Sequence, residues 1–241
     1  MSIAKFGLSD IGMLSYYYVP RRYPASQAAG ALLKVFRRYP RFCYQTGGPA
    51  MRRYPYQGPG LNPLWAIMGI NLLVFIFVLI NWRATFDLLG LMPALVAQEP
   101  WTVITSMFVH ADFWHIFANM LTLYFFGSFL LGLVGERKFL LVYFGGGILG
   151  SIAFILLGPP LATVVGASGA VFAVGGALAV LAPNTRVFLF FFLPLPLWVA
   201  VLLGFLIISP GIAWQAHLGG LVFGLIAGYI FRRQQFRRVR W

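Results

Sequence analysis

Two apolar stretches of this chain each carry one side chain suited to acyl transfer. Within residues 164–182 the only polar side chain is Ser168, set between Gly166 and Gly169. Near the C-terminus Ala216-His217-Leu218-Gly219-Gly220 is followed by Gly224 and Gly228. At about 100° per residue, Gly220, Gly224 and Gly228 share one helix face with His217. Such a groove admits another small-residue helix, and the helix carrying Ser168 is the best candidate, so the pairing would bring a hydroxyl to an imidazole. The alternative reading is that Gly, Ala and Ser serve only close packing between membrane helices. A third stretch places His115, Asn119 and Thr122 at i, i+4 and i+7 on one face. A serine, a histidine and nearby imidazole or amide donors are the parts of a nucleophile, a general base and an oxyanion site.

The elements that must position these groups are membrane helices. Of the 241 residues 60% are hydrophobic and 10% charged, and the mean hydropathy is +0.83, which excludes an ordinary soluble domain. Six stretches are long enough to cross a hydrocarbon core of about 30 Å. They are expected at 64–81, 114–133, 139–157, 167–182, 187–208 and 213–231. The fold class is therefore an all-α membrane bundle over residues 62–231, with basic tails at 1–61 and 232–241. The first apolar run starts only near Leu64, so no cleavable signal peptide is expected.

The net charge of +13 is concentrated in those tails, which argues against nucleic acid. With both termini cytoplasmic, 17 of the 18 Lys and Arg residues fall on the inner side and only Arg83 on the outer, a strong orientation signal. A plasma membrane location is expected. The N-terminal tail contains Arg-Arg-Tyr-Pro at 21–24, 37–40 and 52–55 and is expected to be disordered, with anionic lipid as its candidate partner. The apolar loop 82–113 is expected to lie in the interface. The fourth stretch is short, which sets Ser168 below the outer surface at a helix N-terminus, at the same depth as His115, Asn119 and His217. Pro194 and Pro196 are expected to interrupt the fifth stretch and weaken its helix.

Other chemistries fit less well. The spans contain no Asp or Glu, against an intramembrane aspartyl protease, and there is no His-Glu-x-x-His motif. His110, Asp112 and His115 match no strong zinc spacing, and the single Cys43 excludes a cysteine-based site, so no metal or other cofactor is expected. A transporter would show an inverted repeat or a charged pathway residue, and neither is visible.

In this order the motifs resemble those of the rhomboid family of intramembrane serine proteases over residues 64–231. They are Trp82-Arg83, His115-x-x-x-Asn119, Gly132-x-x-x-Glu136, Gly166-Ala167-Ser168-Gly169 and Ala216-His217-x-x-Gly220. The resemblance implies a Ser168–His217 dyad, an oxyanion hole of His115, Asn119 and the Ser168 amide, transmembrane protein substrates, and a fifth span bordering their route of entry. Phe172 stands where many relatives have a tyrosine stacked on the histidine, and Leu140 where a glycine often follows the loop glutamate. The alternative is a catalytically inactive relative that binds or escorts membrane proteins; such a protein usually lacks the serine or the histidine, and both are present here.

Overall fold

The structure, a computed structural model, describes residues 62–189, 193–210 and 213–238, with side chains described as far as Gln234. The Arg-Arg-Tyr-Pro repeats and their expected disorder lie outside the described residues. Helix α1 (Pro63–Ile80) begins where Asn62 Oδ1 accepts the Leu64 amide at 2.9 Å and Pro63 supplies a pre-set φ. Only Leu64, Ile67, Asn71, Phe75 and Val78 of α1 are buried, one stripe at helical spacing, and the remaining apolar faces point outward.

The expected interfacial loop is built of short elements. Helix α2 (Trp82–Leu89) is capped by Asn81 Oδ1 on the Ala84 amide, and Arg83 lies over the Trp82 ring at 5.2 Å. A 3-10 turn (Pro93–Leu95), helix α3 (Thr102–Thr105) and a second 3-10 turn (Ser106–Phe108) complete it. Trp82, Trp101 and Ile104 remain exposed on this loop.

Helix α4 spans Phe113–Val134, with a π-helical turn at Leu123–Gly127. Gly135, with φ +81°, ends it and starts α5 (Glu136–Leu157), three residues before the expected 139. Glu136 occupies the first turn of α5, where its charge meets the positive end of the helix dipole. Helix α6 is Ser168–Leu181, α7 is Leu197–Ile208, and α8 is Trp214–Arg238. Among the described residues, four helices can by length and composition cross a membrane: α1, α4, α5, and α8 over Trp214–Gln234. The apolar α6 and α7 have 14 and 12 residues, about 21 and 18 Å at 1.5 Å per residue.

One expectation needs correction. The fifth span was expected at 187–208, yet nearly the first half of it is an antiparallel hairpin, β1 (Arg186–Leu189) with β2 (Leu193–Pro196), in the register Arg186↔Pro196 and Phe188↔Pro194. Pro194 and Pro196 lack amide donors and fix φ, so they precede α7 rather than kink it. At the other end of the chain, α8 carries the basic segment on as helix to Arg238.

The packing centre is α6 between α5 and α8, with α8 running parallel to it. The register repeats every four residues: a Cβ on Gly220 would overlap the Gly169 carbonyl, one on Gly224 the Ala173 carbonyl, and one on Gly228 would lie 2.7 Å from the Ala177 carbonyl. A Cβ on Gly150 of α5 would lie 2.7 Å from the Ala216 carbonyl. Backbone meets backbone along this seam, and glycine alone permits it. Gly224→Ala is therefore expected to destabilise the fold by about 1–3 kcal/mol. Gly204→Ala in α7, where nothing lies within 4 Å of an added Cβ, should be neutral or stabilising by up to about 1 kcal/mol. Thermal unfolding of the two variants in detergent tests the contrast, and equal shifts would contradict the seam.

Candidate active site

The loop before α6 is latched to the first loop. Leu91 and Val164 exchange both backbone hydrogen bonds, at 3.1 and 2.8 Å, and the Ala94 amide donates to the Pro160 carbonyl at 2.9 Å. The Gly166 amide donates to the Ser106 carbonyl at 2.9 Å, and the Ala167 amide to His110 Nε2 at 3.4 Å. Gly166 has φ +126°, a conformation that side chains resist. A Cβ there would also lie 2.7 Å from His115 Nε2 and 3.7 Å from Ser168 Oγ. This turn delivers Ser168 as the first residue of α6, where the early amides of the helix have no intrahelical acceptors and the dipole favours negative charge.

The seam brings His217 alongside. His217 Nε2 and Ser168 Oγ are 2.8 Å apart, and Ser209 Oγ is 3.0 Å from His217 Nδ1. The Phe172 ring lies against the imidazole with centroids 4.8 Å apart and planes tilted by 40°, so the aromatic contact expected of this position is made without a hydroxyl. Phe172 in turn meets Phe205 of α7 edge-on at 5.8 Å. Ser168 and His217 thus lie within one hydrogen bond. His115 stands over Gly166 beside Ser168, and its Nδ1 accepts the Ala111 amide at 3.4 Å, which assigns the ring proton to Nε2 on the side facing Gly166.

Asn119 is placed differently. It is buried, and its side-chain amide donates to the His115 carbonyl one turn back at 2.8 Å. One of its two amide hydrogens is therefore engaged on its own helix.

Three groups were not singled out in the sequence. Ser209 is the only hydroxyl between Thr185 and His217, but a turn separates it from α8, so helical spacing does not connect the two. Ser106 and Ser151 line a cavity of about 20 Å³ beside Ser168, together with Gly166, Gly169 and Ala216. That is room for about one water. His110, considered in the sequence as a metal ligand, is fully buried and packs edge-on against His115 at 4.9 Å. Asp112 is occupied as the cap of α4, accepting the His115 amide at 2.9 Å.

Apolar helices of membrane-crossing length define an integral membrane protein, and it gathers a serine, a histidine and a second imidazole at helix termini. A family model described as Rhomboid domain matches residues 97–234, more than half of the chain, and the chain belongs to the rhomboid family. It is 35% identical over 197 residues to Rhomboid protein 1, mitochondrial, of Saccharomyces cerevisiae, an alignment covering 74% of this chain and 56% of that protein. It is 32% identical over 163 residues to RHOMBOID-like protein 12, mitochondrial, of Arabidopsis thaliana, covering 56% and 48%. With Rhomboid protease GluP of Bacillus subtilis it shares 35% over 138 residues, covering 56% and 27%. The chain spans about half the length of the two mitochondrial relatives.

Burial pushes His110 down from 6.5 to about 3, aided by the adjacent His115; its Nδ1 faces the Phe108 backbone without reaching hydrogen-bond geometry. The unfolded chain binds a proton there below about 6.5, whereas the folded chain resists it down to about 3. Stability should therefore fall as pH is lowered through that window, by at most about 1.4 kcal/mol per pH unit from this residue. Chemical unfolding between pH 7 and pH 4 should give a shallower slope for His110→Asn than for the wild type.

Proposed function

We propose that this chain is an intramembrane serine endopeptidase that hydrolyses peptide bonds of transmembrane proteins near the outer end of their spans. The observation that carries the reading is the 2.8 Å approach of Ser168 Oγ to His217 Nε2 at the N-terminus of α6. Membership in the rhomboid family and a relative named as a protease support it. Ser168 attacks the scissile carbonyl while His217 Nε2 takes its proton. The same proton then passes to the leaving amine, and water hydrolyses the resulting acyl-serine by the reverse sequence. The negative oxygen of the tetrahedral intermediate is held by the Ser168 amide and His115 Nε2–H, with the Asn119 side-chain amide joining them.

Substrate entry is assigned to the side walled by α7. Its packing is largely confined to α6 and the hairpin, through Leu197, Ala200 and Val201, while Trp198, Leu202, Leu206, Ile207 and Ile208 face outward. Both termini are placed on the cytoplasmic side, with six helices in the membrane and the two short ones enclosed by their neighbours and the loops. The membrane is left at the level of an integral membrane protein, because the names of the mitochondrial relatives give no support to the plasma membrane expected from the sequence.

The purified protein in liposomes, given a panel of transmembrane peptides and a serine-directed phosphonate probe, tests the reading. Ser168→Ala and His217→Ala should each lower cleavage by at least about 10³-fold with folding kept, and the double variant should be no worse. Asn119→Ala should lower turnover at saturating substrate by about 10²-fold, at the lower end for an oxyanion donor, with thermal stability retained. Undiminished cleavage by Ser168→Ala would overturn the assignment, and a folded wild type that neither cleaves nor labels would favour a binding or escort role.

A further inference from the structure

We infer that Ser209 is a positioning residue for His217, so that the base is oriented by a hydroxyl from the end of α7 where a carboxylate would complete a triad. The inference rests on the dyad reading. Ser209 Oγ lies 3.0 Å from His217 Nδ1, and the two residues are 2% and 1% exposed, so bulk water does not compete for that ring nitrogen. An imidazole can serve as base at Nε2 only in the tautomer that carries its proton on Nδ1. A buried Nδ1–H needs an acceptor, and among the described residues Ser209 Oγ is the one within reach.

When Ser168 Oγ forms its bond to the carbonyl carbon, its proton moves to Nε2 and the ring becomes an imidazolium. The Nδ1–H then donates to Ser209 Oγ more strongly, because a charged donor makes the stronger hydrogen bond. As the leaving amine takes the Nε2 proton, the ring returns to the neutral tautomer with Nδ1–H still held. Ser209 thus gains no proton and loses none. Phe172 limits tilt of the ring from its face, while Ser209 fixes rotation in its plane. Both restraints involve α7, through Phe205 against Phe172 and through Ser209, which follows its last helical residue, Ile208.

The test compares Ser209→Thr and Ser209→Val, which match in shape and differ in the hydroxyl, with Ser209→Ala as the variant that adds no bulk. The first readout is the rate at which a small serine-directed phosphonate labels Ser168 in the full-length protein, since labelling needs the dyad but no transmembrane substrate. The second is the division between kcat and KM for a transmembrane peptide. Ser209→Val and Ser209→Ala should each slow labelling and lower kcat by about tenfold to a hundredfold, the range expected for losing one buried hydrogen bond, with KM little changed. Ser209→Thr should recover most of both rates. Labelling at the wild-type rate in folded Ser209→Ala protein would overturn the inference, as would a loss in Ser209→Thr equal to that in Ser209→Val, or an effect confined to KM. Ser168→Ala in the same assays separates this from the parent reading: its continued cleavage would remove the dyad itself, whereas its inactivity beside an unaffected Ser209→Ala would remove only the role of Ser209.

Discussion

Everything about the site depends on how closely α6 and α8 approach. Ser168 and His217 stand on different helices, and a hydrogen bond of 2.8 Å between them requires the two backbones to be nearer than ordinary side chains allow. Glycine at 220, 224 and 228 removes the obstruction at four-residue intervals, and the parallel direction of the helices keeps the register over all three positions. In lipid there is no general hydrophobic drive between helices, so van der Waals contact along such a seam becomes a main source of cohesion. The feature that stabilises the bundle is thus the one that aligns the proposed nucleophile and base.

Much of this was legible because helical periodicity operates within a single element. His217 with its glycines and His115 with Asn119 each belong to one helix, and spacing alone placed them on faces. What spacing could not supply were relations across turns. Ser209 lies eight residues before His217, but the chain reverses between them, and no period survives a reversal. The rotamer of Asn119 was equally hidden, because an amide on the face next to a backbone carbonyl can satisfy itself locally. The hairpin at 186–196 was misread for a different reason. Its composition is as apolar as a membrane helix, and hydropathy does not distinguish the two; only Pro194 and Pro196 indicated that the helix would start late.

The elements around the seam differ in how firmly they are held. The first loop is tied to the loop before α6 through Leu91, Ala94, Ser106 and His110, which fixes the turn at Gly166 from outside the bundle. Helix α7 has no comparable set of ties. It leans on α6 through a few small or branched side chains and leaves the rest of its surface outward. A rigid floor beside a lightly attached wall suits the proposed entry of a substrate helix past α7.

The brevity of α6 bears on how such a protein is made. Its 14 residues cannot cross a bilayer unaided, and nearly all of its circumference is occupied by neighbours, of which α8 is the last to leave the ribosome. Until then the serine has neither its partner histidine nor the helix that walls it in. On the proposed dyad reading, a growing chain is accordingly inert toward the membrane proteins being inserted beside it, and the proposed capacity to cut arrives only as its final helix docks.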